Sequence, residues 1–160
     1  MPPELPFAAL ILAYDAVDAD TAAIESLACD AARVGAAPVV VALPPDVGAP
    51  DGTRVVRVAR GGARVTGLRL GMAQLTNSPA RAVLLVPLRG PQRSLVSLLA
   101  LLDGAKRGSA AIIAFEGAAL DDSPVLVPRD AWLELVTVGE NGMEAVAARR
   151  DTRRVDAPLL

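Results

Sequence analysis

The feature that most constrains the fold of this chain is a short apolar run that ends in a polar loop and is followed by a helical pattern. Its clearest copy is 80–102, where the run 82–86 leads into Leu88-Arg89-Gly90-Pro91 and leucines recur at helical spacing after Ser94. An apolar run of this length is typical of a strand buried on both faces. A buried strand, a loop and a helix in succession form the unit of an α/β sheet, in which ligands bind where strands end. The loop 88–93 is therefore the foremost candidate for a binding site.

The same alternation recurs along almost the whole chain. It predicts strands at 7–13, 38–43, 54–58, 82–86 and 110–115, a short edge strand at 123–127, and a last strand or tail at 154–160. It predicts three helices whose N-terminal caps are Asp20 or Thr21, Thr66, and Ser94, and short helices at 129–136 and 142–148. This order indicates a three-layer α/β/α sandwich with a mostly parallel, Rossmann-like sheet. No linker or internal repeat divides it, so residues 1–160 are expected to form one domain.

Composition excludes several classes of protein. A hydrophobic fraction of 52% excludes intrinsic disorder, and a net charge of −2 argues against a nucleic-acid surface. No apolar run reaches the roughly 18 residues that a membrane span needs, so no membrane partner is expected. The start of the chain, MPPELP, lacks the basic segment of a signal peptide. We therefore expect a cytoplasmic protein.

The absence of histidine excludes further chemistry. Without it, the chain can form neither a Ser-His-Asp nor a Cys-His catalytic site, nor any histidine-ligated metal site. Cys29 is the single cysteine; it lies in a predicted helix, and we expect its side chain to be a small filler of the core. Trp132 is expected to anchor a short helix on the sheet rather than to stack on a nucleobase.

Two groups of arginines are candidate anion-binding residues. Arg89 follows the central strand, and its guanidinium can pair with a phosphate through two parallel hydrogen bonds. Arg60, Arg64 and Arg69, together with Gly61-Gly62, can form a second anion-binding loop at the start of a helix. The alternatives are a partnership between Arg89 and a nearby carboxylate, and a solvated polar loop at the second group.

Acidic residues offer weaker candidates. Asp15, Asp18 and Asp20 alternate as carboxylates do in cation-binding loops, but no closing glutamate or glycine of the EF-hand type follows, so helix capping is favoured. Asp121-Asp122 is a candidate metal-binding or acid–base pair, and a solvated turn is the favoured interpretation. No catalytic residue and no metal ligand is predicted.

The order of these segments resembles the MobA-like NTP transferase family, which includes the molybdenum-cofactor cytidylyl- and guanylyltransferases. The family opens with a strand like LILAAG, has a helix start like GMGSSLRAGL, and continues with a loop like GDMP, a GHPVLF segment and a DIDTP segment. The matching segments here are 10–13 (LILA), 63–72 (ARVTGLRLGM), 88–91 (LRGP), 122–127 (DSPVLV) and 155–160 (VDAPLL). The resemblance covers nearly the whole chain and implies the nucleotide-diphospho-sugar transferase fold.

The chain departs from this family where the family binds its substrate. The triphosphate loop of the family, with its glycines and basic residues, corresponds here to 14–20, which has no glycine, arginine or lysine. The family's metal-binding aspartate aligns with Arg89, and a guanidinium repels a cation. The DIDTP segment, near which related enzymes hold a second metal carboxylate, has no full counterpart in 155–160. Together these departures imply a degenerate relative.

The resulting prediction is a nucleotidyltransferase-like domain that works without catalysis and without a cofactor. It would bind a partner protein, associate with itself, or bind a nucleotide or another anionic small molecule. The apolar tail 157–160 and the leucine-rich helix after Ser94 are the candidate interfaces.

Two alternatives remain open. One is an active Mg²⁺-dependent enzyme that moves CMP or GMP from an NTP onto molybdopterin or a related phosphorylated acceptor, with a metal site rebuilt from Asp15, Asp18 or Asp121. The other is a flavodoxin-like or other Rossmann-type domain, which strand order would distinguish.

Overall fold

The computed structural model describes residues 5–91, 93–105, 111–138 and 142–158. These residues contain the strands β1 (Phe7–Leu12), β2 (Val39–Leu43), β3 (Arg54–Arg57), β4 (Ala82–Pro87), β5 (Ile112–Phe115), β6 (Val125–Pro128) and β7 (Thr152–Val155). They also contain the helices α1 (Thr21–Arg33), α2 (Arg64–Ala73), α3 (Leu95–Ala105), α4 (Trp132–Val138) and α5 (Met143–Ala147). Single 3₁₀ turns, Asp18–Asp20 and Arg129–Ala131, precede α1 and α4.

The seven strands form one sheet in the order β3-β2-β1-β4-β6-β5-β7. All neighbouring pairs are parallel except those of β6, which runs antiparallel to both β4 and β5. The chain builds outward from β1 to β3 and then returns to place β4 on the other side of β1. The mostly parallel α/β architecture confirms the predicted fold class. The antiparallel β6 and the seven-strand order distinguish it from the five-strand flavodoxin-like order.

The helices cover both faces of the sheet, as continuous apolar strands require. Alternate residues of β1 pack in opposite directions because side chains in a strand alternate between its faces. Ala9 and Ile11 pack in the cluster that holds the apolar faces of α1 and α3. Leu10 and Leu12 pack in the cluster that holds α2, α4 and α5. Among the described residues, no helix has both the length and the apolar character needed to cross a membrane.

The prediction of an edge strand at 123–127 is wrong in its placement. The strand is β6, and it lies inside the sheet, between β4 and β5. Proline is tolerated there because Pro124 precedes the strand and Pro128 is its last residue, so neither removes an N–H from the middle of the ladder. The edges are instead formed by β3 and β7. Of the predicted tail, β7 ends at 155, and residues 159–160 lie outside the described residues.

The predicted helix starts have different outcomes. Ser94 caps α3 as expected, because its hydroxyl accepts the Ser97 N–H at 3.2 Å. Thr66 is not a cap, because α2 begins two residues earlier, at Arg64. The Asp20 carboxylate does not cap α1 either, since it bonds to other groups. The Thr21 hydroxyl donates to the Asp18 carbonyl at 2.8 Å.

Two single-residue predictions also differ in outcome. Trp132 anchors α4 as expected: it is buried, and its indole N–H donates to the Val127 carbonyl at 3.1 Å. Arg129 stacks over the same ring at 4.7 Å. Cys29, in contrast, is exposed on α1, so its prediction as core filler is wrong. The apolar stripe of that helix is made by Ile24 and its buried neighbours Leu27, Ala28 and Ala31.

Gly90 fixes the loop that follows β4. Its φ of +113° is a conformation that residues with a side chain rarely adopt. A Cβ at this position would also collide with the Asp122 carbonyl oxygen, so the backbones of the β4–α3 and β5–β6 loops are in close contact. Arg93 holds the same loop from the other end by donating to the carbonyls of Leu88 and Gly90.

Replacement of this glycine tests the contact between the two loops. Gly90→Ala is expected to lower the free energy of unfolding by about 2–4 kcal/mol, because it combines an unfavourable φ with a collision against backbone. Gly52→Ala is the control: Gly52 has a φ of +75° but a Cβ added there would meet nothing within 4 Å. A loss of about 1 kcal/mol is therefore expected from the control. Urea unfolding of both variants measures the difference, and equal losses would contradict the close contact.

Candidate ligand-binding site at the carboxyl edge of the sheet

The carboxyl ends of the six mutually parallel strands meet at one edge of the sheet. The loops that follow β1 and β4 are neighbours there, because Leu12 pairs with Pro87 and the Leu88 N–H donates to the Leu12 carbonyl at 3.2 Å. The strands that follow β1 in the chain, β2 and β3, lie on one side of it, and β4 and the later strands lie on the other side. In open α/β sheets such a crossover opens a crevice at the carboxyl edge, which is where ligands bind.

Arg89 lies at this crossover and pairs with the loop after β1. Its Nη1 and Nη2 lie 3.3 and 3.0 Å from the two carboxylate oxygens of Asp20, which is a bidentate arrangement. Its Nε lies 3.5 Å from Oδ2 of Asp15. The Arg89 side chain is 56% exposed, whereas the Asp20 side chain is 16% exposed. All three guanidinium nitrogens of Arg89 therefore face carboxylates of the same loop.

The charges of this cluster stabilise one another. The hydrogen bonds from Arg89, followed by the one from the Val17 N–H, hold the pKa of Asp20 below its ordinary value of 3.8. The hydrogen bond to Asp20 in turn raises the pKa of Arg89. Asp20 is thus fully ionised at neutral pH, and its charge is neutralised by Arg89.

Arg60 holds the same loop from the side of β2 and β3. Its Nη1 donates to the Ala16 carbonyl at 2.6 Å, and its Nη2 lies 2.7 and 2.8 Å from the two carboxylate oxygens of Asp46. Asp46 lies in the loop after β2 and Arg60 in the loop after β3. Through its bonds to Asp46 and Ala16, Arg60 therefore joins the loops that follow β1, β2 and β3. The segment 13–20 is therefore held between two arginines that the sequence singles out as anion-binding candidates.

The two glycines after Arg60 close a tight turn. Gly61 has a φ of +83°. Gly62 packs so closely that a Cβ would come within 2.7 Å of Val58 and 2.8 Å of the Ala59 carbonyl. The N–H of Gly62 donates to that carbonyl at 2.8 Å, so it is used within the turn.

Arg64 and Asp121 link the start of α2 to the β5–β6 loop. Nη1 of Arg64 lies 3.5 Å from Oδ1 of Asp121, and the same oxygen accepts the Met143 N–H at 2.8 Å at the start of α5. The Nε of Arg64 is buried without a hydrogen-bond partner. Asp121 thus holds the first residue of α5 against the β5–β6 loop, whereas the sequence suggested a solvated turn.

Arg69 lies apart from the crossover. It is exposed on α2, and its Nε donates to the Val136 carbonyl of α4 at 2.9 Å. The structure therefore brings Arg89 and Arg60 to the acidic loop and places Arg64 at the start of α2 beside the β5–β6 loop. Arg69 joins α2 to α4.

The sequence alternative that Arg89 pairs with a nearby carboxylate agrees with the structure, but the identities of the partners of these arginines were not predicted. Asp20, Asp15 and Asp46 each pair with a predicted anion-binding arginine, and Asp121 pairs with a third. A signal was present, because these residues follow strands whose carboxyl ends meet at one edge. In the part of the chain that the structure describes, no group of three cysteine or carboxylate side chains is placed to hold a metal ion.

A cavity of about 520 Å³ lies at the opposite edge of the sheet. It is lined by a mostly apolar set with charged residues among them, namely Leu5, Arg81, Ala82, Ala105, Ala111, Leu126, Pro128, Arg129 and Asp130. None of the predicted site residues lines it. The guanidinium of Arg129 donates hydrogen bonds to the carbonyls of Thr76, Ser78 and Ala80.

Removal of the Arg89 charge is expected to raise the pKa of Asp20 toward 3.8. A carboxyl whose pKa is lowered by folding contributes stability above its unfolded pKa and loses it as pH falls through the folded value. The stability difference between the unsubstituted protein and Arg89→Gln is therefore expected to shrink as pH falls below 3.8.

A carboxyl ¹³C NMR titration of Asp20 measures this pKa directly. Arg33→Gln is the matched control, since Arg33 is exposed at the other end of α1 and is expected to leave the titration unchanged. An identical Asp20 titration in the protein with and without Arg89 would show that the ion pair does not persist in solution.

Known protein structures with a similar fold exist, at low sequence identity. No protein-family model and no curated protein sequence matches the chain. A crystal structure of Rv0371c from Mycobacterium tuberculosis H37Rv in complex with manganese is 18% identical, with a TM-score of 0.70 over 97% of this chain and 90% of that chain. A 2-C-methyl-D-erythritol 4-phosphate cytidylyltransferase from Thermus thermophilus is 17% identical, with a TM-score of 0.57 over 94% and 88%.

A third similar structure is CMP:2-keto-3-deoxy-manno-octonic acid synthetase complexed with CTP. It is 10% identical, with a TM-score of 0.60 over 97% of this chain and 92% of that chain. At these identities the likeness is one of fold. The chain therefore has the fold of the nucleotidyltransferases, of the nucleotide-diphospho-sugar transferase type.

Proposed function

We propose that this chain is a degenerate, MobA-like nucleotidyltransferase-fold domain that binds a nucleotide or another phosphate-bearing small molecule without transferring it. The ligand would bind at the carboxyl edge between β1 and β4, with Arg89 as its main contact. The single observation that carries this proposal is the position of the Arg89 guanidinium, which lies at the crossover and faces Asp15 and Asp20.

The chemistry of a guanidinium supports binding rather than metal-dependent transfer. It is always positively charged, it cannot ligate a cation, and its fork matches phosphate as well as carboxylate. By the resemblance to the MobA-like family, this position corresponds to a metal-binding aspartate. The reversed sign attracts a phosphate and repels the Mg²⁺ that nucleotidyl transfer would need.

The loop after β1 also supports a non-catalytic role. It has three aspartates and no basic residue, and Arg60 and Arg89 hold it from its two sides. A triphosphate approaching this loop would meet carboxylates rather than the backbone N–H groups of a glycine-rich loop. A ligand with one or two phosphates near Arg89 fits this arrangement better than a fully wrapped NTP.

The alternative is an active Mg²⁺-dependent transferase that moves CMP or GMP onto molybdopterin or a related phosphorylated acceptor. Similar folds include a cytidylyltransferase and a protein crystallised with manganese. The metal site would be rebuilt from Asp15, Asp18 or Asp121. For Asp15 to ligate Mg²⁺, it would have to leave Arg89, and Asp121 would have to leave Arg64.

A ligand panel distinguishes these functions. Thermal unfolding is measured with CTP, GTP, ATP and UTP and with the corresponding nucleoside diphosphates, each with and without Mg²⁺, in the unsubstituted protein, in Arg89→Gln and in the control Arg33→Gln. We expect one or more nucleotides to raise Tm without metal in the first and third proteins and not in Arg89→Gln. At a hundredfold excess over Kd the stabilisation is about 3 kcal/mol, which corresponds to roughly 5–10 °C.

The other outcomes of this panel are equally decisive. A rise in Tm that requires Mg²⁺, together with release of pyrophosphate in the presence of an acceptor, would replace the non-catalytic proposal with the active enzyme. Equal rises in all three proteins would remove Arg89 from the site. No rise with any nucleotide would overturn nucleotide binding.

Self-association through α3 is a second proposed role, favoured by one observation. Val96 and Leu99 lie one turn apart on this helix, and they are 56% and 49% exposed. Large apolar side chains that share an exposed helix face favour contact with another protein surface. We propose a second copy of this chain, or otherwise a partner protein, as the group that covers them.

Sedimentation velocity tests this role. We expect a concentration-dependent dimer that dissociates when Val96 and Leu99 are both replaced by aspartate. Leu133→Asp is the control, because Leu133 is 73% exposed on α4, which packs on the other face of the sheet, and its replacement is expected to leave the dimer intact. A monomer at every concentration of the unsubstituted protein would exclude self-association.

A further inference from the structure

The carboxylate of Asp20 occupies a place that is built for an anion. Three donors converge on it: Nη1 of Arg89 at 3.3 Å, Nη2 of Arg89 at 3.0 Å, and the N–H of Val17 at 2.9 Å. Asp20 is largely shielded from solvent at this position, with a side chain that is 16% exposed. A phosphate oxygen pair would use the same two guanidinium hydrogen bonds.

The same guanidinium cannot hold Asp20 and an external phosphate in this bidentate way at once. Its two Nη atoms face Asp20, and its remaining Nε faces Asp15. We propose that Asp20 is an internal competitor for Arg89, so that a phosphate-bearing ligand binds by displacing the Asp20 carboxylate. This inference rests on the proposed function, because it concerns the control of that same anion site.

The arrangement allows the exchange to occur without unfolding. Arg89 is 56% exposed, and exposed ion pairs contribute little stability, so a doubly charged phosphate can replace a singly charged carboxylate. Asp20 keeps its bond to the Val17 N–H within the 3₁₀ turn Asp18–Asp20, so the loop retains an internal hydrogen bond when Arg89 leaves it. The affinity for the ligand is then set by the competition and not by the attraction of Arg89 alone.

Removal of the competitor tests this directly. Calorimetric titration with inorganic pyrophosphate at fixed ionic strength is compared in the unsubstituted protein and in Asp20→Asn, which keeps an oxygen for the Val17 N–H. We expect Asp20→Asn to bind pyrophosphate about three- to fivefold more tightly, the upper part of the range expected when a weak exposed ion pair is removed. Asp20→Ser serves as a second variant in case the amide disturbs the turn.

Asp18→Asn is the matched control. Asp18 belongs to the same 3₁₀ turn and is exposed, and its replacement changes the net charge by the same amount. Because it makes no bond to Arg89, less than about a twofold change in affinity is expected from it after screening by salt. Equal gains from Asp18→Asn and Asp20→Asn would mean that only net charge matters, and would overturn the inference.

Arg89→Gln separates this inference from the proposed function. If Arg89→Gln weakens pyrophosphate binding while Asp20→Asn fails to strengthen it, the internal competition is wrong and the anion site stands. If pyrophosphate binds equally with and without Arg89, or binds to none of the proteins, both proposals fail. If the gain from Asp20→Asn disappears when Arg89→Gln is added, the competition for Arg89 is supported.

Discussion

The ion pair between Arg89 and Asp20 joins the two loops that define the candidate site. These loops follow the neighbouring strands β1 and β4. From β1 the chain adds β2 and β3 on one side, and it then adds β4 on the other side of β1. Each loop is also fastened on its far side, one by Arg60 and the other by the contact of Gly90 with Asp122. The charge at this edge of the sheet therefore depends on the pairing of Arg89 with Asp15 and Asp20.

Much of the fold was predictable because the inner strands of the sheet are almost wholly buried and their sequences are apolar throughout. Runs such as Phe7–Leu12 and Val39–Leu43 are wholly buried, and continuous apolar residues are the signature of that environment. The place of β6 was not predictable in this way, because its sequence shows that it is buried without showing what lies beside it. Proline suggested an edge, whereas the two prolines lie before the strand and at its end.

The candidate site was predictable only in part, for a related reason. Sequence picked out Arg89 and Arg60 as cations at the ends of strands, but their partners Asp20 and Asp46 are distant along the chain and meet them only through strand order. Periodicity likewise placed Cys29 in a helix without assigning it to the correct face. Pairing between loops is a property of the assembled sheet, so it cannot be inferred from one segment at a time.

The conformation of Gly90 has a consequence for how such a site can change over evolutionary time. The path of the loop is set by a glycine with a φ of +113° packed against the neighbouring backbone, and not by the side chain before it. A substitution at position 89 therefore changes the charge that faces Asp15 and Asp20 but leaves in place the glycine that sets the path of the main chain. A change of one codon can therefore alter the sign of the charge at the carboxyl edge of the sheet, between β1 and β4, while the glycine that shapes the loop is retained.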